Sequence, residues 1–178
     1  MEKDNQIKQP KKDTPQAVVD QNDLPRNFGN YSVFDHNGGS VVEIFNNNKY
    51  LVINGKNAFP FLVDRQREDT MTGLNVVQVI SKFDVRFINA TILDAIMDQP
   101  GLYPRSLQML GVRFMFLGTI YQSLDEKDLA VRYVSWDGSK PVEGFVSLSE
   151  NFGFTSPALA KISSVSTNIL RCFDEPIT

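Results

Sequence analysis

Leu129-Ala130-Val131-Arg132-Tyr133-Val134-Ser135, then Trp136-Asp137-Gly138-Ser139-Lys140-Pro141, then Val142-Glu143-Gly144-Phe145-Val146-Ser147-Leu148 is the stretch whose reading decides the fold. Two runs rich in β-branched and aromatic residues flank a polar turn that contains Asp-Gly, the pattern of a β-hairpin with a loop longer than two residues. Successive side chains of a strand point to opposite faces. Val131 and Tyr133 therefore share one face, and Arg132 shares the other with Ala130, Val134 and Trp136.

The same Val-Arg-aromatic tripeptide recurs at Val85-Arg86-Phe87 and Val112-Arg113-Phe114, so three of the eight arginines occupy one kind of setting. If all three segments are strands of one sheet, Val and the aromatics form an apolar face, and Arg86, Arg113 and Arg132 lie away from it.

Working outward, the signals stay β-like. Val41 to Phe45 and Lys49 to Ile53 flank Asn46-Asn47-Asn48, which reads as a hairpin. Asn54-Gly55 predicts a type I′ turn into a third strand over Ala58 to Val63. Pro60 cannot donate a ladder hydrogen bond, which makes that strand an edge or a bulged one. Residues 64–73 read as a charged loop. Leu74 to Ile80 and Phe83 to Ile88 read as strands. Ala90 to Gln99 reads as a short helix stopped by Pro100-Gly101, and Ser106 to Leu110 as one helical turn. Gly111 to Tyr121 looks like a long central strand. Ser156-Pro157 supplies a cap and an N1 proline for a helix beginning at Ala158, and Val165 to Phe173 suits a final strand.

About eight short strands at hairpin spacing predict a mainly β chain, an antiparallel barrel or sandwich with one to three short helices. The βαβ rhythm and Gly-rich phosphate loop of a doubly wound fold are missing from the sequence. None of the 19 Phe, Tyr and Trp residues precedes Phe28. Residues 1–27 are polar and neutral and hold three prolines, so they are expected to form a disordered arm ahead of a single domain over 28–178. Within that arm Val18, Val19 and Leu24 are the candidates for docking on a partner.

Chemistry is sparsely supplied. One histidine, His36, and one cysteine, Cys172, give no zinc cluster and no intrachain disulfide. Asp125-Glu126-Asp128 lacks the spacing and glycine of an EF-hand loop. Glu43, Asp84, Asp94, Asp98, Glu143 and Glu150 could supply a carboxylate pair, but no spacing selects two of them. No cofactor motif, catalytic set or metal set emerges. The first residues lack the apolar core of a secretory signal, and no uncharged apolar run reaches the roughly 18 residues of a membrane span. Together these suggest a cytoplasmic protein without a membrane partner.

The expected function is non-enzymatic protein–protein interaction or assembly, as a homo-oligomer or with a protein partner on which the arm orders. Viral and phage structural components combine an arm with a β domain, and that likeness of form is the only ground for a virion location. Arg86, Arg113, Arg132 and Trp136 are the candidate interaction surface, since Arg and Trp concentrate at interface centres. The same face suggests a second reading, a single-stranded nucleic-acid module, which a net charge of −3 disfavours. A small enzyme with a carboxylate-based site is a third.

Overall fold

Residues 14–83 and 85–162 are described by the computed structural model. In chain order its strands are β1 (Gln16–Asp20), β2 (Tyr31–His36), β3 (Val41–Asn46), β4 (Leu51–Ile53), β5 (Lys56–Asn57), β6 (Phe59–Phe61), β7 (Met71–Thr72), β8 (Val85–Phe87), β9 (Arg113–Met115), β10 (Thr119–Ser123), β11 (Leu129–Trp136), β12 (Pro141–Ser147), β13 (Asn151–Phe152) and β14 (Ala158–Ile162). Three α-helices accompany them: α1 (Asp64–Glu68), α2 (Gly73–Ile80) and α3 (Ala90–Asp98). The fold is β-rich and sandwich-like. No helix among the described residues is long and apolar enough to cross a membrane.

The central sheet runs β2-β10-β11-β9-β14-β6, with β12 also paired to β11 and β8 also paired to β14. It is antiparallel except for one parallel contact, Ala158 with Met115. A smaller antiparallel sheet, β1-β3-β4-β5, lies apart from it. The inward side chains of that small sheet (Val19, Val42, Ile44, Leu51, Ile53) join Ile92, Leu93 and Ile96 of α3 in one core against Phe114, Val134 and Leu159 of the central sheet. The opposite face carries Met115, Val131, Val146 and Ala158, which pack against Val76 and Ile80 of α2 and against Phe152. The central sheet is thus covered on both sides, and Ala130, Val131 and Arg132 are buried in succession.

The hairpin at the centre of the sequence forms as expected. β11 and β12 pair from Ala130↔Ser147 to Trp136↔Pro141. Asp137 Oδ1 accepts from the backbone N–H of Ser139 and Lys140 and from the Ser139 hydroxyl, so the side chain closes the turn. The β3–β4 hairpin and α3 also lie where the sequence places them. Asn54 and Gly55 both have positive φ, as a type I′ turn requires.

Other expectations are corrected. The strand expected over Ala58 to Val63 is β6, which leaves the meander and pairs with β14 in the central sheet, where Pro60 lies opposite Leu159 on an end strand. The charged loop over 64–73 contains α1 and β7; buried Gln66 ties α1 down by donating to the Ser156 carbonyl. Leu74 to Ile80 is helix α2, not strand. Thr72 caps it by accepting the Asn75 N–H, and Gly73, Val76 and Ile80 form its buried stripe, so helical spacing overrides β-branched propensity. The central strand over 111–121 is two strands, β9 and β10. A β-carbon on Gly118 would stand 2.8 Å from the Phe87 carbonyl oxygen and the Asn89 nitrogen, so the chain bends there past another segment's backbone.

Ala158 onward is strand β14 rather than a helix. Its small side chains face the α2 core while Leu159 faces the α3 core. That alternation suits a strand between two packed layers. Val165 to Phe173 and Cys172 lie outside the described residues.

The aromatic boundary at Phe28 is not a structural boundary. β1 pairs with β3 over five residues, Gln16↔Phe45 to Asp20↔Val41. The short apolar run Ala17-Val18-Val19 was enough for a strand because β3 already offers a paired neighbour and a core beneath it. Val19 is buried in that core, while Val18 and Leu24 are 70% and 71% exposed. Residues 1–13 lie outside the described residues.

Because Val19 alone of this pair faces the core, Val19→Ala is expected to lower unfolding free energy by about 1.5 kcal/mol. Val18→Ala should change it by less than about 0.5 kcal/mol. Urea denaturation of both variants checks this, and equal effects would contradict the observed pairing.

Candidate functional site

Strand register distributes the three Val-Arg-aromatic segments. In β9 and β11 the partners are Arg113↔Ser135 and Phe114↔Val134. Arg113 therefore stands on the face of Val131 and Tyr133, and Arg132 on the opposite face. In each tripeptide Val and the aromatic do pack on a core, but Val112 and Phe114 enter one core while Val85, Phe87, Val131 and Tyr133 meet the other. Arg86 and Arg113 are exposed, whereas Arg132 is 1% exposed. The guanidinium of Arg113 lies 5.5 Å from the Tyr133 ring centroid. Trp136 stacks on Tyr103 with centroids 5.7 Å apart. The expected arginine face is thus not one surface, and a nucleic-acid reading that uses all three arginines together loses its footing.

Arg132 anchors a polar cluster at the edge of the α3 core. Its Nη1 donates to Asp94 Oδ1 at 2.7 Å, and its Nη2 donates to Glu143 Oε2. Nη1 also reaches the Tyr121 hydroxyl at 3.4 Å. Phe28 lies 4.6 Å from the guanidinium at its ring centroid, and Phe145, opposite Arg132 on β12, contacts Phe28, Tyr31 and Tyr121. The Arg26 backbone N–H donates to Asp94 Oδ2 at 2.8 Å, while its guanidinium binds Asp98.

Asp94 and Asp98 stand one turn apart on α3, so both face the same neighbours. Burial pulls the Arg132 guanidinium down, but the bonds to Glu143, Tyr121 and Asp94 outweigh it and hold the group above its ordinary value. Burial pushes the Tyr121 hydroxyl up, against the pull of Arg132.

Three of the six carboxylates singled out in the sequence therefore converge: Asp94, Asp98 and Glu143. Each is engaged by a guanidinium, so the arrangement neutralises buried charge and does not present two free carboxyls to a substrate. Glu43 and Glu150 are exposed and lie elsewhere in the fold. Among the described residues no group of His, Cys, Asp and Glu is placed to hold a metal ion.

A separate groove of about 470 Å³ opens where β8 and β14 meet the end of α2 and the loop after β2. Its walls include Ile53, Val77, Ile80, Phe83 and Leu117, and its rim is formed by Gln21 and residues 37–40. Arg86 and Lys161 lie at its edge, directly opposite each other on the β8–β14 pair. Burial, then the nearby Arg86 and Lys56, hold the Lys161 ammonium below its ordinary value.

The rim is fixed from behind. His36 Nδ1 pairs with the Thr119 hydroxyl and Nε2 with the Gln21 carbonyl, both at 2.9 Å. Buried Asn89 donates to the Gln21 and Asn37 carbonyls. His36, expected in a turn, ends β2 and performs this anchoring. The groove was missed in the sequence because it joins residues from seven separate segments between Gln21 and Lys161; Lys161, in a stretch expected to be helical, carried no signal.

No protein-family model, curated protein or solved structure matches the chain.

Two outcomes follow from this geometry. Arg132→Leu, which leaves Glu143 without its guanidinium and Asp94 with only the more distant Arg26 Nε at 4.0 Å, should cost about 3 kcal/mol in urea denaturation. Adding Asp94→Asn and Glu143→Gln should recover much of that loss. For Lys161 the charged form is disfavoured in the folded state, so below its folded pKa the penalty is fully present. As pH rises toward the ordinary value of 10.5, the folded chain releases the proton first and stability increases. Lys161→Gln should be at least as stable as the parent at neutral pH and should lack that alkaline gain, as measured by melting temperature against pH.

Proposed function

We propose that this chain is a non-enzymatic interaction protein that assembles through protein contacts, with a second copy of itself as the partner. The observation that carries this reading is an apolar patch at the tip of the β11–β12 hairpin. Leu110 is 72% exposed and Met109 37% exposed. Leu110 forms an isolated bridge with Trp136. Its Cδ2 lies 3.9 Å from where a β-carbon on Gly138 would stand, so the side chain lies over the turn. Trp136 is half-buried on Tyr103 and presents its remaining surface beside Leu110.

Met and Trp at a rigid, partly desolvated position are the residue types that dominate interface energies. The hairpin holds Trp136 in place at little entropic cost, because the Asp137 side chain already locks the turn. Of the surface expected from the sequence, Trp136 is therefore the member this reading retains. The exposed Val18 on β1 and Leu24 beyond it are further apolar positions on the N-terminal side of the fold.

Sedimentation across a wide concentration range tests the reading. The parent chain should gain mass with concentration, and Leu110→Glu should shift that gain to roughly tenfold higher concentration or beyond, the loss expected when one buried Leu contact is removed. Equal, concentration-independent masses for the two chains would overturn it.

A further inference from the structure

We propose that the groove between β8, β14 and the end of α2 binds a small organic anion with an apolar body, an alkyl or aryl carboxylate. Two features of the groove point to an anionic head group. Arg86 and Lys161 are register partners on neighbouring antiparallel strands, an arrangement in which like charges repel and destabilise the sheet. Among the described residues neither has an ion-pair partner, and the Lys161 ammonium is disfavoured by its surroundings. A bound anion would relieve both effects at once.

The rest of the groove fixes the ligand's other properties. Partly exposed Val77, Val85 and Phe87, with Phe83, supply the apolar contact surface, over buried Ile53, Ile80 and Leu117. Phe83 is 45% exposed, with its ring edge against Phe61, so it stands at the mouth as a contact surface for a chain or ring. A volume of about 470 Å³ falls within the range of small-molecule sites, and the exposed lining is more polar than apolar, which suits a ligand with a charged head and a short apolar body.

The backbone of the rim argues for a carboxylate over a phosphate. A phosphate site of the usual kind offers several free N–H groups. Here the Asn37 N–H donates to the Gly118 carbonyl, the Gly38 N–H to the His36 carbonyl and the Gly39 N–H to Asn22 Oδ1. The carbonyl end of α2 also lines the groove at Ser81 and disfavours a multiply charged anion. A single carboxylate matched to the Arg86 fork, with Lys161 beside it, satisfies the charge that is present.

Titration calorimetry on the full chain with octanoate, octan-1-ol and octylammonium tests this. Octanoate should bind at one saturable site, with the alcohol and the ammonium at least about tenfold weaker, and Arg86→Gln or Lys161→Gln should each weaken octanoate by about tenfold. Amide NMR signals of Gly38, Gly39 and Phe83 should shift on titration. Lys161→Gln relieves a repulsion and should not lower the melting temperature, so its loss of binding would not reflect unfolding.

Absence of octanoate binding, equal binding of the three probes, or binding unchanged in both variants would overturn the proposal. Residues 163–178, outside the described residues, carry Asp174 and Glu175. Binding seen only in an Asp174→Asn, Glu175→Gln chain would overturn it in favour of those acids as the occupant.

Discussion

A guanidinium sealed inside a two-sided sheet must have its charge neutralised where it stands, and Arg132 sets that constraint here. An unpaired cation at 1% exposure would cost several kcal/mol. The remedy comes from three directions: Asp94 from α3, Glu143 from the next strand and the Tyr121 hydroxyl from the strand on the other side. Placing Asp94 correctly requires α3 to lie across the sheet, and Asp94 in turn holds the Arg26 backbone. One buried charge therefore couples the hairpin, the helix and the segment leading from β1 to β2.

The second organising constraint is that the central sheet carries a core on each of its two faces around Ala130 to Val134. Two cores, one under the small sheet and α3 and one under α2, require apolar side chains of both parities. This explains why Ala158, Leu159 and Ala160 form a strand: alternating small and large residues fill two layers at once. It also explains the groove. Where β8 and β14 run out beyond α2, the covering layers stop short, and Arg86, Lys161 and Phe83 are left around an opening.

The parts of the fold that could be read in the sequence are those decided within about 20 residues. Asp137 closes its own hairpin, Asn54-Gly55 makes its own turn, and Pro100-Gly101 ends α3. The misread parts were decided by neighbours distant in sequence. Leu74 to Ile80 has β-branched residues enough for a strand, yet it is helical because Thr72 caps it and Val76 and Ile80 meet the central sheet. Ala17 to Val19 is too short and polar-flanked to announce a strand, yet β3 supplies five pairing partners. Pro157 is as compatible with a strand entry as with a helix start, and the two cores selected the strand.

The sequence by itself determined a mainly β chain, the central hairpin, and the packing of Val and aromatic residues in each Val-Arg-aromatic segment, because alternation along a strand is a local property of the backbone. The tertiary structure alone decided which way each arginine points. Pairing Arg113 with Ser135 puts Arg113 and Arg132 on opposite faces, and pairing Arg86 with Lys161 puts two cations side by side at the groove. Register between strands is set by long-range packing, and a shift of one residue reverses every face. Three Val-Arg-aromatic tripeptides could therefore become a buried ion cluster, a surface cation over tyrosine and one edge of an open groove.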